Sequence, residues 1–236
     1  MKSSKTLDKC QISKSRNLKS ILNLGSLPPV NKMQSINKKN KEQIYYPTEL
    51  FYSPKSHLVQ LGTIVDKEIL FPPEYPYTSS TTKILRENFK ELYEEIRKKF
   101  NFQKKSLVID IGSNDGNLLF KFKKYFNVLG VTPETIGKLA IQKGIPTILD
   151  YYNSKTTKLI LKKFGKANII TATNVFAHID NIDDVIINIK KCLKKNGIFI
   201  SESHYLLPLI KKLQYDTVYH EHLRYYSLHS LNYLFQ

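Results

Sequence analysis

The sequence predicts an α/β fold with a doubly wound, mostly parallel sheet, preceded by a small β-rich module, and three observations carry that reading. Leu107–Gly116 (LVIDIGSNDG) begins with an apolar, mostly branched run, as in a strand buried on both faces. Asp110 interrupts the run, and Gly112 and Gly116 then bracket Ser113, Asn114 and Asp115 before an amphipathic stretch opens at Asn117. Glycines there let the backbone turn sharply and approach a ligand at the carboxyl end of the strand. The second observation is a regular alternation of short apolar runs and helical periods from Leu107 onward, with short links, which implies parallel strands covered by helices on both faces. The third is that the chain before residue 81 has extended runs broken by Pro, Gly and Ser. These place a small module over residues 1–75 and a nucleotide-binding domain over 76–236. The Gly-Ser-Asn-Asp-Gly spacing differs from the dinucleotide GxGxxG and favours a single adenosyl group.

Each element has its own warrant. Residues 1–40 are basic and polar around one apolar island, Ile21–Val30, which Gly25, Pro28 and Pro29 make a turn-rich extended stretch. Residues 44–61 read as two short strands separated by Ser53-Pro54-Lys55-Ser56, and the proline-rich Phe71–Ser80 as an ordered loop or linker. Apolar residues at Ile84, Leu85, Phe89, Leu92, Tyr93, Ile96 and Phe100 keep a helical period, with Thr81 or Thr82 as the cap. Strands are then predicted at 107–111, 128–131, 147–149, 168–173 and 197–203, with helices over 117–125, 134–143, 155–164 and 182–193. A last helix starts near Ser227.

Composition bounds the function. The chain has 236 residues, 41% hydrophobic and 24% charged, and no apolar stretch of membrane-spanning length. The first twenty residues are polar and lysine-rich without an apolar core, which argues against a secretory signal. Two distant cysteines, Cys10 and Cys192, give no disulfide framework and point to a reducing, cytoplasmic setting. The net charge is +17, yet the lysines are scattered and the arginines are only Arg16, Arg86, Arg97 and Arg224. That distribution argues against a specific nucleic-acid surface and leaves an anionic substrate compatible.

Seven segments in order carry a resemblance: LGSLPPVN, YYPTELFYSPKSHLVQL, LFPPEYPYTSST, VIDIGSNDGNLL, GIPTI, ITATNVFAHIDNIDD and DTVYHEHLRYYSLHSL. The chain resembles the S-adenosylmethionine-dependent sugar C-methyltransferases that act at C3 of nucleotide-linked 4-keto-deoxyhexoses. The resemblance implies a class I, Rossmann-like methyltransferase domain behind a zinc-binding module, with S-adenosylmethionine as cofactor and a nucleotide-linked sugar as substrate. Three departures accompany it. The family's zinc site uses two Cys-x-x-Cys pairs; here those positions hold Cys10, Ser13, Ser53 and Ser56. One thiol and three hydroxyls make a poor tetrahedral donor set, so no zinc and a less stable module are expected. An acid usually follows the first strand by about 20 residues to hold the ribose hydroxyls; here that position is Thr132, with Glu134 two residues on as the compensating group and weaker cofactor affinity as the consequence. Finally, the family continues past Gln236 with an antiparallel strand pair and a further domain. The expectation is a chain truncated at its C-terminus, completed by a separate polypeptide or left as a remnant.

Methylation at a carbon beside a ketone needs a base, donors for the enolate, and the carbanion placed in line with the methyl group. Tyr219-His220-Glu221-His222 is the best candidate site; if extended, it would set His220 and His222 on one side and Tyr219 and Glu221 on the other. By the resemblance His222 is the base, with Tyr219 and Glu221 in the same pocket; the alternatives are a metal-binding His-x-His and a solvated loop. His178, after the fourth strand, is a donor to the enolate oxygen or the sugar, or a capping or surface histidine. Tyr77, ahead of its neighbour Tyr75, is the candidate sugar contact from the linker, with interface packing as its alternative. Cofactor contacts are assigned to Asp110, Gly112, Asn114, Asp115, Gly116, Thr132, Glu134 and Asn174. His204, Asp183, Asp184 and Cys192 receive structural readings. The competing functions are an active C-methyltransferase domain, an impaired or split remnant of one, and a basic nucleic-acid-binding protein.

Overall fold

The computed structural model describes residues 3–33, 42–72 and 77–236. The chain opens with β1 (Ser4–Thr6), β2 (Lys19–Leu27), β3 (Tyr46–Ser53), β4 (Leu58–Leu61), β5 (Thr63–Val65) and the short α1 (Lys67–Leu70). The island read as a turn-rich extended stretch is β2. It pairs antiparallel with β3 through two register irregularities, the second beside Gly25 at φ +75°. A glycine at positive φ is a common way to place a bulge in a strand.

Alternation then begins. The helix predicted over 81–100 is α2 (Lys83–Lys99), with Thr82 as the N-cap residue; the Thr82 side chain makes no capping bond, and the Thr81 hydroxyl instead closes a turn onto the Thr78 carbonyl at 2.6 Å. After it come β6 (Leu107–Ile111), α3 (Asn117–Phe122), β7 (Asn127–Val131), α4 (Gly137–Gln142), β8 (Thr147–Ile148), α5 (Ser154–Lys163), β9 (Ala167–Thr173), α6 (Ile182–Cys192) and β10 (Leu193–Glu202). The chain ends with α7 (Leu206–Lys211), a 3-10 turn Tyr215–Thr217, β11 (Arg224–Tyr225) and α8 (Leu228–Phe235), which Ser227 caps in a capping box.

These elements form two compact units. One is the stretch from Pro73 to Phe176 together with Asn181–Glu202. Its five strands run parallel in the order β10-β9-β6-β7-β8. The order reverses direction beside β6, the position where open α/β sheets place their ligands. Its core is Val108, Val128 and Ile169 from the sheet with Phe89, Ile96, Leu118, Leu119 and Phe122 from α2 and α3. Asn153 caps α5 with a capping box, and Asn181 caps α6, whose first turn carries Asp183 and Asp184 where carboxylates favour the positive end of the helix. Cys192 is fully buried in α6.

The other unit gathers Met1–Pro72 with Ala177–Asp180 and Ser203–Gln236. Its four-stranded antiparallel sheet has the order β11-β4-β3-β2, and β1 pairs with β5. Leu50, Val59, Leu61 and Ile64 pack with Val218, Leu223 and Tyr225, so residues from the end of the chain complete the core of its beginning. Among the described residues no helix is long and apolar enough to cross a membrane.

Candidate active site

In the α/β unit the candidate cofactor residues lie at the carboxyl ends of β6, β7 and β9. Gly112 adopts φ +71°, and a Cβ there would sit 2.7 Å from Val175 Cγ2. Gly116 adopts φ +77°, with Ala140 and Ile145 within 2.9 Å of a Cβ. Both positions require glycine for backbone sign and for space. Asp110 is buried, and the Thr171 hydroxyl donates to its Oδ1 at 2.6 Å. Burial pushes its carboxyl up to about 7, against the lowering effect of Thr171.

Asn114 and Asp115 engage the loop that precedes α2. The Ser79 amide donates to Asn114 Oδ1 at 2.9 Å, and Asn114 Nδ2 donates to the Tyr77 carbonyl at 3.0 Å. The Ser79 hydroxyl donates to Asp115 Oδ1 at 2.6 Å, and Lys143 Nζ donates to Oδ2 at 3.1 Å. Burial would raise the Asp115 carboxyl, but the bonds from Ser79, Ser80 and Lys143 outweigh it and hold the group below the usual range. The turn therefore carries a fixed negative charge and a fixed loop. The Tyr77 ring is about half exposed, and burial and the nearby Asp115 charge raise its phenol. Tyr75 lies outside the described residues.

At the end of β7 the Thr132 hydroxyl donates to Glu134 Oε2. A carboxylate thus stands at the expected strand end, supplied by residue 134 and held by residue 132. Asn174 adopts φ +55°; its amide N–H donates to the Glu202 carbonyl at 2.8 Å and its side chain to Glu202 Oε1 at 3.0 Å. Asn88 Nδ2 reaches both oxygens of the same carboxylate, at 3.1 and 2.9 Å. Glu202 and Asn88 were missed by sequence reading, and no spacing signal marks a contact across 114 residues.

In the β-rich unit Tyr219–His222 is a turn. The His222 amide donates to the Tyr219 carbonyl at 3.0 Å, which overturns the alternation an extended strand would give. An i to i+3 turn brings the first and last side chains together, and the Tyr219 hydroxyl lies 3.1 Å from His222 Nε2. His222 Nδ1 lies 2.8 Å from the Thr217 carbonyl. A carbonyl only accepts, so Nδ1 carries the proton and Nε2 is the free lone pair. Burial, reinforced by His204 and opposed by the Thr217 carbonyl, lowers His222 to about 4.

His220 turns away: its Nε2 donates toward the Tyr46 and Pro47 carbonyls at 3.2 and 3.3 Å, a buried structural role. Glu221 is buried and accepts from Asn31 Nδ2 at 2.6 Å. His178 stacks on Phe71 and has its ring 4.9 Å from that of His222. Loss of solvent, and then the charges of His222, His204 and Arg224, press His178 well below the usual imidazole range. His204, read from sequence as a structural residue, is a third member, its ring 4.8 Å from His222 and edge-on. Arg224 is fully buried, donating from Nε to the Tyr226 hydroxyl at 2.9 Å and from its terminal nitrogens to Gln11 Oε1 and the Ile179 carbonyl. The cluster is therefore three imidazoles, two of them, His178 and His222, lowered by burial, beside the buried Arg224 cation. Its hidden members sit on three separate segments, which sequence reading had no means to join.

The parallel sheet with a glycine-bracketed turn at its switch point belongs to one unit, and the buried His222 imidazole facing the Tyr219 hydroxyl to the other. The chain belongs to the methyltransferase domain family, whose model matches residues 83–236. A second family model, for a candidate zinc binding domain, matches residues 10–71. Among individual proteins it is similar to the C-methyltransferase NovU of Streptomyces niveus, with 26% identity over 232 residues, 98% of this chain and 55% of that protein. The chain thus spans about half the length of that relative. Solved structures that resemble it include the PH0226 protein from Pyrococcus horikoshii OT3 (TM-score 0.46, 18% identity, 63% of this chain and 70% of that one). Another is an S-adenosylmethionine-dependent methyltransferase from Clostridium acetobutylicum ATCC 824 (TM-score 0.43, 16% identity, 57% and 56%).

Proposed function

We propose that the chain is an S-adenosylmethionine-dependent C-methyltransferase that acts beside the ketone of a nucleotide-linked 4-keto-deoxysugar, with His222 as the base. The observation that carries this is the Thr217 carbonyl 2.8 Å from His222 Nδ1, which leaves Nε2 as the proton acceptor. Depression to about 4 keeps that imidazole neutral at physiological pH. The Tyr219 hydroxyl holds Nε2 at rest and yields it to the substrate. His222 takes the proton from the carbon beside the ketone, and the electron pair passes to the carbonyl oxygen as an enolate. His178, a neutral ring beside His222, is the proposed donor to that oxygen, with Glu221 as a further sugar contact.

S-adenosylmethionine, when bound, supplies an electrophilic methyl group on sulfur. The turn is built for close backbone approach: Gly112 and Gly116 hold left-handed backbone, with Val175 and with Ile145 and Ala140 packed where a Cβ would stand. Glu134, oriented by Thr132, would receive the ribose hydroxyls, and the partly exposed stretch around Asn174 would take the methionine end. Asp110, Asn114 and Asp115 shape the turn from behind. Bound there, the cofactor would supply its sulfonium methyl group to the enolate carbon, with the sulfur as leaving group.

Calorimetric titration with S-adenosylmethionine and with its demethylated product tests the cofactor half. Binding in the micromolar range is expected; no binding at millimolar concentration sinks it in favour of a non-catalytic remnant. The base is tested separately by incubating a nucleotide-linked 4-keto-deoxysugar with the protein in deuterated water without cofactor. Exchange at the carbon beside the ketone is expected, and its persistence in His222→Asn would assign the proton to another group.

A further inference from the structure

The module over residues 10–71 matches a zinc-binding family, and its four ligand positions do meet in space, but not as a metal site. Cys10 and Ser13 bracket one turn; Ser53 and Ser56 bracket the turn joining β3 to β4. Cys10 Sγ lies 3.2 Å from Ser56 Oγ, and Ser13 Oγ lies 3.4 Å from Ser53 Oγ. The Ser13 amide donates to Cys10 Sγ at 3.4 Å. Cys10, Ser53 and Ser56 are all fully buried. This donor set does not fit zinc: a serine hydroxyl stays protonated at neutral pH, and a closed structural site needs four thiolate, imidazole or carboxylate donors. The adjacent His57 does not complete it. Its side chain is exposed at φ +53°, with Nδ1 3.0 Å from the Tyr52 hydroxyl and its ring against His229. Among the described residues no group of three or more His, Cys, Asp or Glu could hold a metal ion.

A metal in such a module ties two turns that the chain separates by about forty residues, and its binding energy is folding energy. Something else ties them here. The Gln11 amide donates to Gln60 Oε1 at 2.7 Å, Gln11 Nε2 donates to the Leu223 carbonyl at 3.0 Å, and Gln60 Nε2 donates to the Lys9 carbonyl at 3.3 Å. Arg224 donates to Gln11 Oε1 and so closes the network from β11. Gln11 lies inside the first turn, Gln60 in β4 and Arg224 in β11, and all three are buried. Buried polar groups are retained at such positions only when satisfied, and a satisfied network rigidifies its surroundings.

We infer that this module has exchanged its metal for a buried hydrogen-bond network: the Cys10–Ser13–Ser53–Ser56 knot between the two turns, and the Gln11–Gln60–Arg224 network that anchors the first turn to β4 and β11. The module folds and holds without zinc, and its stability depends on Gln60 and Arg224 where a metal-bound module's depends on four thiolates.

The full chain, produced in zinc-supplemented medium, is assayed for metal by mass spectrometry and for unfolding temperature with and without EDTA. Zinc well below one equivalent per chain and an unfolding temperature unmoved by EDTA are expected; stoichiometric zinc or an EDTA-dependent drop overturns the inference. Gln60→Ala is expected to lower the unfolding temperature by several degrees, and more than Ser13→Ala does; the reverse order removes the network from the argument. The triple variant Ser13→Cys, Ser53→Cys, Ser56→Cys tests convergence of the four positions. It is expected to bind one zinc per chain and to become EDTA-sensitive, and a folded triple variant that binds none refutes the convergence. Should the triple variant not fold, the metal and EDTA measurements on the unaltered chain still decide.

Discussion

The two units carry different ionisable chemistry. In the α/β unit the polar groups at the strand ends are carboxylates, at Asp110, Asp115, Glu134 and Glu202, each held by hydroxyls, amides or an ammonium. In the β-rich unit they are imidazoles at His178, His204 and His222, beside the buried Arg224 guanidinium. Burial moves one deeply buried member of each kind toward neutrality, Asp110 up to about 7 and His222 down to about 4. In the proposed function, the first set holds the ligand through fixed acceptors and the second accepts the proton.

That division can be broken most forcefully at His222. His222→Asn is expected to reduce methyl transfer by about 10²- to 10⁴-fold, the usual contribution of a positioned base, while calorimetry finds cofactor affinity unchanged. A parallel loss of cofactor affinity would show that the two roles are not separated. Gly112→Ala attacks the other side. A left-handed φ and a 2.7 Å approach to Val175 are expected to cost about 2–4 kcal/mol of stability, read by denaturant unfolding, together with weakened cofactor binding.

Glu134→Gln should weaken cofactor binding by about tenfold through loss of a charge-assisted bond, leaving proton exchange at the sugar carbon untouched. Thr132→Val should do less, since it frees the carboxylate without removing it. A separate set of effects lies in the pH dependence of stability. For His222 the folded value lies below the unfolded one, so its contribution is complete above about 6.5 and is lost as pH falls through about 4. His178 and His220 shift in the same direction. For Asp110 the folded value lies above the unfolded one, so stability declines as pH rises from about 4 toward about 7. Unfolding free energies of Asp110→Asn and the parent, compared at pH 4 and pH 8, should move in the variant's favour at the higher pH; no change would mean that Asp110 is not buried as a charge.

Much of the α/β unit was legible because its signals are local. A branched apolar run, a glycine-bracketed turn and a helical period are written in one short continuous stretch, as in Leu107–Phe122. The start of the last helix near Ser227, and Asp183 and Asp184 in the first turn of α6, were equally readable. The catalytic candidates were visible as residue types but not as an arrangement. An extended Tyr219–His222 would have set those two side chains on opposite sides, whereas the turn joins them, as the resemblance implied. His204 passed as structural because its partner lies 18 residues on, with α7 and a 3-10 turn between.

What the sequence determined by itself is therefore the order of elements, the parallel sheet and the turn at Gly112–Gly116, since neighbour-to-neighbour sterics and periodic burial act over short separations. Tertiary structure alone decided the membership of the β-rich unit, where residues 177–180 and 203–236 join the first 72. It alone decided the tautomer of His222, through a carbonyl five residues away. It also decided that Thr132 orients Glu134, and that Gln11, Gln60 and Arg224 meet. Each of these is a hydrogen bond whose existence depends on where burial removes water, and burial is a property of the folded chain as a whole.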